Sequence, residues 1–345
     1  HTMKMVIDKS MPCVEGVFEP YASVLYKDGP MIYNEDLRDA DALLIRTRTK
    51  CDKELLEGTS VKIIATATSG TENIDVDYCH SHGIFFKNAS GCNAGGVANY
   101  VFSALFGMAA RKSISLQDST LGIIGLGSTG QRVEAMGRSL GFKILRYDPL
   151  LSQIEWYTQF STLDKLLEQS DIVTLHIPLN DSTRAIANKD FFARMKKGAF
   201  FINTSQGDLV VEDELIAAKD KLGAIAIDAW SHEPTINTML MNIADIATPH
   251  IAGYSLQGKL IGSAMAVRSI ARFLSIKELY DFFPQTSTME YQAVKLDVLN
   301  KTQGQIASII QYNYPIFTDD FMFRINPTKF EQLRSQYSYR REFFL

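Results

Sequence analysis

The chain has 345 residues, of which 46% are hydrophobic and 21% are charged, and its formal net charge is −4 at pH 7. This balance is typical of an ordinary globular protein of two or three domains, and it argues against a nucleic-acid partner. No apolar stretch approaches the roughly 18 residues that cross a membrane, and no signal-peptide pattern opens the chain. We therefore expect a cytoplasmic protein with no membrane partner. Because the four cysteines lack paired spacing, we expect reduced thiols and no metal site.

The first ninety residues alternate short apolar runs with polar-faced helical segments. This alternation predicts a parallel sheet with helices on both faces. The predicted strands are Met5–Ile7, Ser23–Leu25, Ala42–Ile45, Lys62–Ala65 and Ile84–Phe86. Predicted helices include Asp52–Leu56 and Val76–His82.

A second alternating unit follows a long predicted helix, Val97–Arg111. Its predicted strands are Gly122–Ile124, Ile144–Tyr147, Ile172–His176, Ala199–Asn203, Ala224–Ile227 and Ile246–Ala247. Strands that are apolar throughout are typical of a sheet buried on both faces. The pattern predicts an α/β protein with two doubly wound parallel-sheet domains, the second a complete dinucleotide-binding domain. A helix over Gly258–Phe273 is predicted to return the chain to the first domain.

A glycine-rich turn opens the second unit, where an apolar strand runs into G-x-G-x-x-G at Gly125, Gly127 and Gly130. The first glycine allows the tight turn, the second lets the backbone approach a pyrophosphate, and the third lets the helix pack closely. The phosphates would sit on the helix N-terminus, at Ser128 and Thr129. Asp148, about 20 residues on, would accept the ribose hydroxyls and repel a 2′-phosphate, which predicts NAD as the cofactor. The alternative interpretation is a purely structural turn.

Three polar residues follow predicted strands downstream of this turn. They are Asp228, Glu233 and His250. Ligands bind at the carboxyl ends of parallel strands, so these side chains could converge on a bound nicotinamide. A histidine suits the proton transfer that accompanies hydride loss from an alcohol, and a neighbouring carboxylate would raise its pKa. Taken singly, a histidine after proline is usually structural and a Glu-Pro pair is usually a turn.

Several ordered segments resemble the D-2-hydroxyacid dehydrogenase family. They are G-L-G-S-T-G, the strand end at Asp148, H-I-P (His176–Pro178), I-N-T-S-Q-G (Ile202–Gly207), D-A-W-S-H-E-P and P-H-I-A-G-Y. Others resemble the branch of this family that oxidises 4-phosphoerythronate in vitamin B6 synthesis: R-T-R-T-K (Arg46–Lys50), A-T-A-T-S-G-T (Ala65–Thr71), G-C-N-A (Gly91–Ala94), H-I-A-G-Y-S-L-Q-G-K (His250–Lys259) and the tail Asn326–Phe343. The resemblance spans nearly the whole chain.

The resemblance implies a role for each matched position. His250 would be the general acid/base and Glu233 its partner. Contacts to NAD would come from Asp148, Asp228, Gly253 and the backbone around Ile177 and Thr204. Contacts to a small phosphorylated 2-hydroxy acid would come from Thr47, Thr68 and Tyr254. Arg46, with Arg48 and Lys50, would bring positive charge to the phosphate; the alternative for this cluster is a solvated strand end.

The resemblance also implies the domain layout. Residues 1–92 and 254–285 would form a discontinuous, flavodoxin-like substrate-binding domain, and residues 93–253 a Rossmann domain for NAD. Residues 286–345 would form a small C-terminal α+β dimerisation module, and the protein would be a homodimer. From composition alone, a minor appendage of one chain is the alternative for this aromatic-rich tail.

Three positions depart from the family pattern. One is Ile177, where relatives often carry threonine or valine, a change that matters little if the backbone makes the contact. Gln206 stands where the family carries a catalytic arginine that holds the substrate carboxylate and polarises C2=O, and Asn99 stands where glutamate is usual. Loss of a charge-assisted contact that tightens in the transition state costs roughly 2–4 kcal/mol, or about 30- to 1000-fold in rate. Three functions therefore stay open: a 4-phosphoerythronate dehydrogenase, a catalytically weak NAD(H)-binding sensor or scaffold, and a dehydrogenase for another 2-hydroxy acid such as 3-phosphoglycerate.

Overall fold

The computed structural model describes residues 2–154, 159–286 and 288–345. Its strands are β1 Lys4–Asp8, β2 Ser23–Lys27, β3 Ala42–Ile45, β4 Ile63–Thr66, β5 Phe85–Lys87, β6 Thr120–Ile124, β7 Lys143–Tyr147, β8 Ile172–Leu175, β9 Phe200–Asn203, β10 Ala224–Ile227, β11 Ile246–Ala247, β12 Val294–Lys295 and β13 Phe343–Phe344. Its helices are α1 Asn34–Leu37, α2 Lys53–Leu56, α3 Val76–Ser81, α4 Ala94–Lys112, α5 Ser128–Ser139, α6 Leu163–Gln169, α7 Lys189–Arg194, α8 Glu212–Ala217, α9 Thr238–Ile243, α10 Leu256–Leu274, α11 Gln303–Asn313, α12 Ile316–Ile325 and α13 Phe330–Ser335. The chain divides into two compact units, His1–Asn93 with Ser255–Gln292, and Ala94–Tyr254 with Ala293–Leu345.

The first unit is built on a parallel sheet of order β2-β1-β3-β4-β5. Strands β3 and β4 are buried throughout because their apolar side chains feed a core on each face of the sheet. Helix α10 packs against β4 and brings Val267 and Ile270 into one of these cores. The strand order reverses between β1 and β3, which is the place where doubly wound sheets bind ligands.

The second unit is built on a parallel sheet of order β11-β10-β9-β8-β6-β7. Here the order reverses between β6 and β8, directly beside the glycine-rich turn that follows β6. Helix α4 is buried from Ala94 to Ala109 and contacts α5, α11 and α12. The predicted doubly wound α/β class is therefore confirmed, and the strand ends of the two large sheets differ from the predicted ones by at most two residues.

The C-terminal tail packs as part of the second unit. Strands β12 and β13 pair in parallel, and Ile310, Tyr314 and Phe343 lie in the core that surrounds α4. Phe323 and Phe330 lie in the core on the other side of the sheet. The sequence suggested a separate module, but the apolar faces of these helices are buried against the second unit's own elements.

Asn99 on α4 explains one departure from the family pattern. Its side-chain amide donates to the carbonyl of Phe343 at 3.0 Å and accepts from the N–H of Phe343 at 2.9 Å. An ionised glutamate has no donor for that carbonyl. Asparagine at this buried position therefore bonds strand β13 of the tail to helix α4.

Within the described ranges, no helix combines the length and apolar character needed to span a bilayer.

Candidate active site

The glycine-rich turn is shaped by close approaches within the second unit. Gly125 has φ +100°, and a Cβ there would lie 2.2 Å from the carbonyl oxygen of His176. A Cβ on Gly130 would lie 1.9 Å from the carbonyl oxygen of Gly125. Both positions therefore require glycine for packing alone. Gly127 differs, because a Cβ there would meet nothing within 4 Å.

The open space at Gly127 lies over the N-terminus of helix α5. Gly127 is the N-cap and supplies no side-chain acceptor to the first turn, and Ser128 is exposed while Thr129 is half-buried. The first backbone N–H groups of a helix have no partner within the helix and attract anions. This end of α5 fits a pyrophosphate, which is the group that the glycine pattern predicts.

Asp148 lies directly after β7, beside the same turn. Its carboxylate accepts from the N–H of Leu126 at 2.8 Å, of Leu150 at 2.9 Å and of Leu151 at 3.0 Å. A carboxylate has about four acceptor positions, so three bonds to the protein leave room for one ribose hydroxyl. The negative charge that would repel a 2′-phosphate is fixed in place by these bonds.

Two buried polar atoms at the ends of β8 and β9 have no hydrogen-bond partner in the part of the chain that the structure describes. They are Nδ1 of His176 and Oγ1 of Thr204. His176 Nε2 bonds the Thr174 hydroxyl at 2.8 Å, and burial lowers the pKa of His176 to about 3, so this imidazole is neutral. Ile177 next to it is buried. Unsatisfied polar atoms at these strand ends fit a polar ligand such as a dinucleotide.

His250 and Glu233 form a close pair at the end of the second sheet. Nδ1–H of His250 donates to the two carboxylate oxygens of Glu233, at 2.6 and 2.9 Å. Each side chain keeps about a fifth of its surface exposed, 22% in both cases. The bond commits Nδ1 to Glu233 and leaves Nε2 as the nitrogen that can exchange a proton with a ligand.

The charges around His250 raise its pKa. Burial by itself lowers the pKa, because it disfavours the charged imidazolium. The hydrogen bond and negative charge of Glu233 outweigh burial, and the carboxylate of Asp228 adds to them, whereas the nearby guanidinium of Arg334 opposes them. The resulting imidazole can hold a proton near neutral pH and return it, as an acid/base catalyst must.

Asp228 holds the backbone that presents His250. Its fully buried carboxylate accepts from the hydroxyl of Thr248 at 2.7 Å and from the N–H groups of Ile251 at 2.8 Å and Ala252 at 3.0 Å. Burial raises the pKa of Asp228, while the positive field of His250 and these bonds lower it. His250 itself has φ +58°, a left-handed conformation that costs a non-glycine residue about 1 kcal/mol or more. A contact of Asp228 with the cofactor stays a prediction.

The remaining predicted residues of this unit follow strand β9 or the His250 segment. Gln206 follows β9, and its backbone carbonyl accepts from the side-chain amide of Asn203 at 3.0 Å. Gly253 is half-buried. Tyr254, predicted to contact the substrate, is stacked on Tyr339 of the tail at a ring-centroid distance of 4.9 Å.

The predicted substrate residues of the first unit follow two neighbouring strands, β3 for Thr47 and β4 for Thr68, and the strand order reverses beside β3. Thr47 and Arg48 are exposed after β3, and the loop is held by Asn73, whose amide donates to the carbonyl of Arg46 at 2.9 Å. The hydroxyl of Thr68 bonds that of Thr66 at 2.6 Å. Arg48 pairs with Asp28 and Lys50 with Asp52, at 3.5 and 3.7 Å, so these two cations are engaged at the surface.

Lys259 joins Arg46 at this place and was missed by sequence reasoning. Burial and, to a smaller extent, the positive charge of Arg46 lower its pKa to about 8, although the negative charge of Asp8 opposes them. Two mutually repelling cations held close together form a natural anion site. A signal was present, because Lys259 lies near the N-terminus of α10, where the helix dipole disfavours a cation.

Comparisons with known proteins agree with this geometry. Residues 100–252 match a family described as D-isomer specific 2-hydroxyacid dehydrogenase, NAD binding domain. An erythronate-4-phosphate dehydrogenase from Bacteroides fragilis is 38% identical over 99% of this chain and 97% of its own length. One from Porphyromonas gingivalis is 33% identical over 99% of this chain and 94% of its own length. The chain belongs to the D-isomer specific 2-hydroxyacid dehydrogenase family.

A solved structure that contains the dinucleotide has a similar fold. The NAD⁺-bound 3-phosphoglycerate dehydrogenase of Entamoeba histolytica is 26% identical and superposes with a TM-score of 0.68, covering 81% of this chain and 98% of that one. The predicted family resemblance is confirmed. The protein is an NAD-dependent oxidoreductase that acts on a 2-hydroxy acid.

Proposed function

We propose that this dehydrogenase oxidises 4-phosphoerythronate to its 2-oxo acid with NAD, as a step of vitamin B6 synthesis. The observation that carries the proposal is the His250–Glu233 pair, set at the carboxyl end of the dinucleotide-binding sheet. Full-length similarity to erythronate-4-phosphate dehydrogenases supports this choice of substrate.

The pair accounts for the proton of the reaction. His250 Nε2 takes the proton of the substrate's 2-hydroxyl as the C2=O bond forms, and Glu233 stabilises the resulting imidazolium through Nδ1–H. Bound NAD would accept the hydride from C2. In the reverse direction His250 returns the proton to the oxygen, which is why a raised pKa suits it.

The cofactor would be held by this chain's own backbone and strand ends. The N-terminus of α5 at Gly127, Ser128 and Thr129 would bind the pyrophosphate. Asp148 would accept from the adenosine ribose, and the strand ends at Ile177 and Thr204 would line the rest of the site.

The cations of the first unit support a phosphorylated substrate. Burial and the positive charge of Arg46 lower the pKa of Lys259, and a dianionic phosphate bound beside the two cations would relieve their repulsion. Thr47 and Thr68 would add hydroxyl donors beside it. A 2-hydroxy acid without a phosphate would bring only the single negative charge of its carboxylate, whereas the phosphorylated acid adds a dianion.

Gln206 is the observation that favours a second candidate, a catalytically weak NAD(H)-binding sensor or scaffold. A neutral amide provides neither the charge nor the two parallel hydrogen bonds of an arginine.

The experiment that decides between the two candidates is a direct assay of NADH formation with 4-phosphoerythronate, 3-phosphoglycerate and unphosphorylated erythronate. We expect turnover with 4-phosphoerythronate above the other two, and none in His250→Asn, which should still bind NADH. Binding of NADH without turnover on any of the three would establish the second candidate.

We also propose that the chain forms a homodimer through its tail. Helices α11 and α12 expose large apolar side chains, with Tyr312 at 88%, and Phe321 and Ile325 one turn apart on α12. Such an apolar face favours a second copy of the chain. Light scattering should give twice the chain mass, and Phe321→Asp should give the monomer. A monomeric wild type at micromolar concentration would refute the homodimer.

Because NAD and phosphorylated acids do not cross membranes freely, we place the reaction in the cytoplasm.

A further inference from the structure

One arginine of the tail contacts the segment that carries the acid/base histidine. Arg334 lies in helix α13, one turn after Phe330, and its Nε–H donates to the backbone carbonyl of His250 at 3.2 Å. Its guanidinium lies 5.7 Å from the ring centre of Tyr254 and 5.7 Å from that of Phe330. About a quarter of the side chain is exposed, at 23%.

Helix α13 is fixed in place by its buried aromatic residue. Phe330 is fully buried and packs edge-on against Phe323 at 5.9 Å, which in turn packs against Trp230 at 5.9 Å. A short helix anchored in this way can hold its next turn in one position. Arg334 therefore approaches His250 from a rigid support.

Residues 250–252 form the segment that carries His250. Side chains of the tail donate to the carbonyls of this segment, and Asp228 accepts from two of the segment's N–H groups. Arg340 continues the pattern of Arg334, since its guanidinium donates to the carbonyl of Ile251 at 3.0 Å and to that of Ala252. Asp228 accepts from the N–H groups of Ile251 and Ala252. These bonds hold His250 in its left-handed conformation, which the residue would not keep unaided.

The charged groups that face His250 come from three elements. Glu233 and Asp228 follow β10 and are negative, whereas Arg334 comes from α13 and is positive. Arg340, from the segment after α13, lies on the two carbonyls that follow His250. Arg334 is further balanced by Glu331, 3.8 Å away on the same helix.

We propose that Arg334 is a positioning residue of the active site: it fixes the backbone of His250 and places a positive charge beside the His250–Glu233 pair. The inference rests on the role of His250 given under the proposed function. It assigns the tail a part in catalysis that acts through His250. It also places a cation near the reacting proton in a chain whose family arginine is replaced by Gln206.

Removal of this charge should raise the pKa of His250, because a like charge disfavours the imidazolium. In Arg334→Gln, the acid limb of the pH profile of kcat/KM for oxidation should move to higher pH, since His250 must be neutral to accept a proton. At a pH on that limb we expect a loss of roughly threefold to tenfold. Arg334→Lys keeps the charge and should keep the limb close to the wild-type position.

Arg324→Gln is the matched control. Arg324 is another arginine of the tail that donates to backbone carbonyls, those of Met241 at 2.8 Å and Ala244 at 2.7 Å. Its loss should lower stability and leave the acid limb unmoved. A shift of equal size in Arg324→Gln would assign the effect to general loosening of the tail and overturn the proposal.

An NMR titration of the His250 imidazole tests Arg334 independently of turnover. The signal is identified by its absence in His250→Asn, and the full-length protein is used. We expect it to titrate at higher pH in Arg334→Gln than in wild type and Arg334→Lys, and an unchanged titration would overturn the proposal. If Arg334→Gln does not fold, Arg334→Met, which keeps the apolar stem, replaces it. A wild type inactive on 4-phosphoerythronate would refute the proposed substrate, and the titration would still decide the role of Arg334.

Discussion

Replacement of Glu233 by glutamine isolates the contribution of its charge to the acid/base pair. The glutamine carbonyl can still accept from Nδ1–H of His250, so the 2.6 Å contact is replaced by a neutral hydrogen bond of similar geometry. What is lost is the negative charge that opposes the effect of burial on His250. The pKa of His250 should therefore fall.

The magnitude follows from the geometry. A hydrogen bond to a charged group contributes about 1.5–3 kcal/mol, roughly twice a neutral one. Because each partner keeps 22% of its surface in solvent, and because a neutral hydrogen bond remains, we take a smaller value for the loss, about 1–2 kcal/mol. This corresponds to a fall of roughly fivefold to thirtyfold in kcat/KM on the plateau, where the developing imidazolium is less well stabilised.

The assay is kcat/KM for NADH formation measured across pH in wild type and Glu233→Gln. The acid limb should move to lower pH in the variant, because neutral His250 then persists to lower pH. Glu214→Gln serves as control, since Glu214 is a carboxylate of the same unit whose side chain accepts from the N–H of Lys189, at 3.2 Å. An acid limb that stays in place, or moves upward, would refute the assignment of Glu233 as the residue that tunes His250.

Three further predictions concern the cofactor, the substrate carboxylate and the phosphate. Asp148→Asn should narrow the preference for NAD over NADP by roughly tenfold, because the carboxylate charge that repels a 2′-phosphate is lost. Titrations of the protein fluorescence with both cofactors check this. Equal affinities of the wild type for the two cofactors would contradict it. Gln206→Arg should raise kcat/KM by about tenfold to a thousandfold with little change in NADH affinity, and a flat response in steady-state kinetics would show that another group already holds the carboxylate. In wild type, KM for the phosphorylated substrate should rise above pH 8, where Lys259 loses its proton, whereas Lys259→Arg should stay flat; a pH-independent wild-type KM would exclude Lys259 from the phosphate site.

The sequence by itself determined the parts of this protein that local patterns encode. Apolar runs such as Ala42–Ile45 become buried parallel strands because successive side chains point to opposite faces of the sheet. A run that is apolar at every position therefore buries both faces. Gly125 and Asp148 could be read as one nucleotide site, since strand, turn and acid follow in chain order and the sheet brings them together. His250 and Glu233 could be singled out, but their 2.6 Å bond could not be derived from their spacing.

Tertiary structure alone decided how the tail and the cations are used. Asn99 meets Phe343, and Arg334 meets His250, across 244 and 84 residues of sequence. Nothing in the local pattern at either end specifies such a pair, because a lone asparagine or arginine is equally at home on a solvated surface. Lys259 acquires its low pKa only where the packing of α10 buries it and sets it beside Arg46. These contacts depend on how the elements pack together, so hydrophobic periodicity, which reports only which face of an element is buried, contains no information about them.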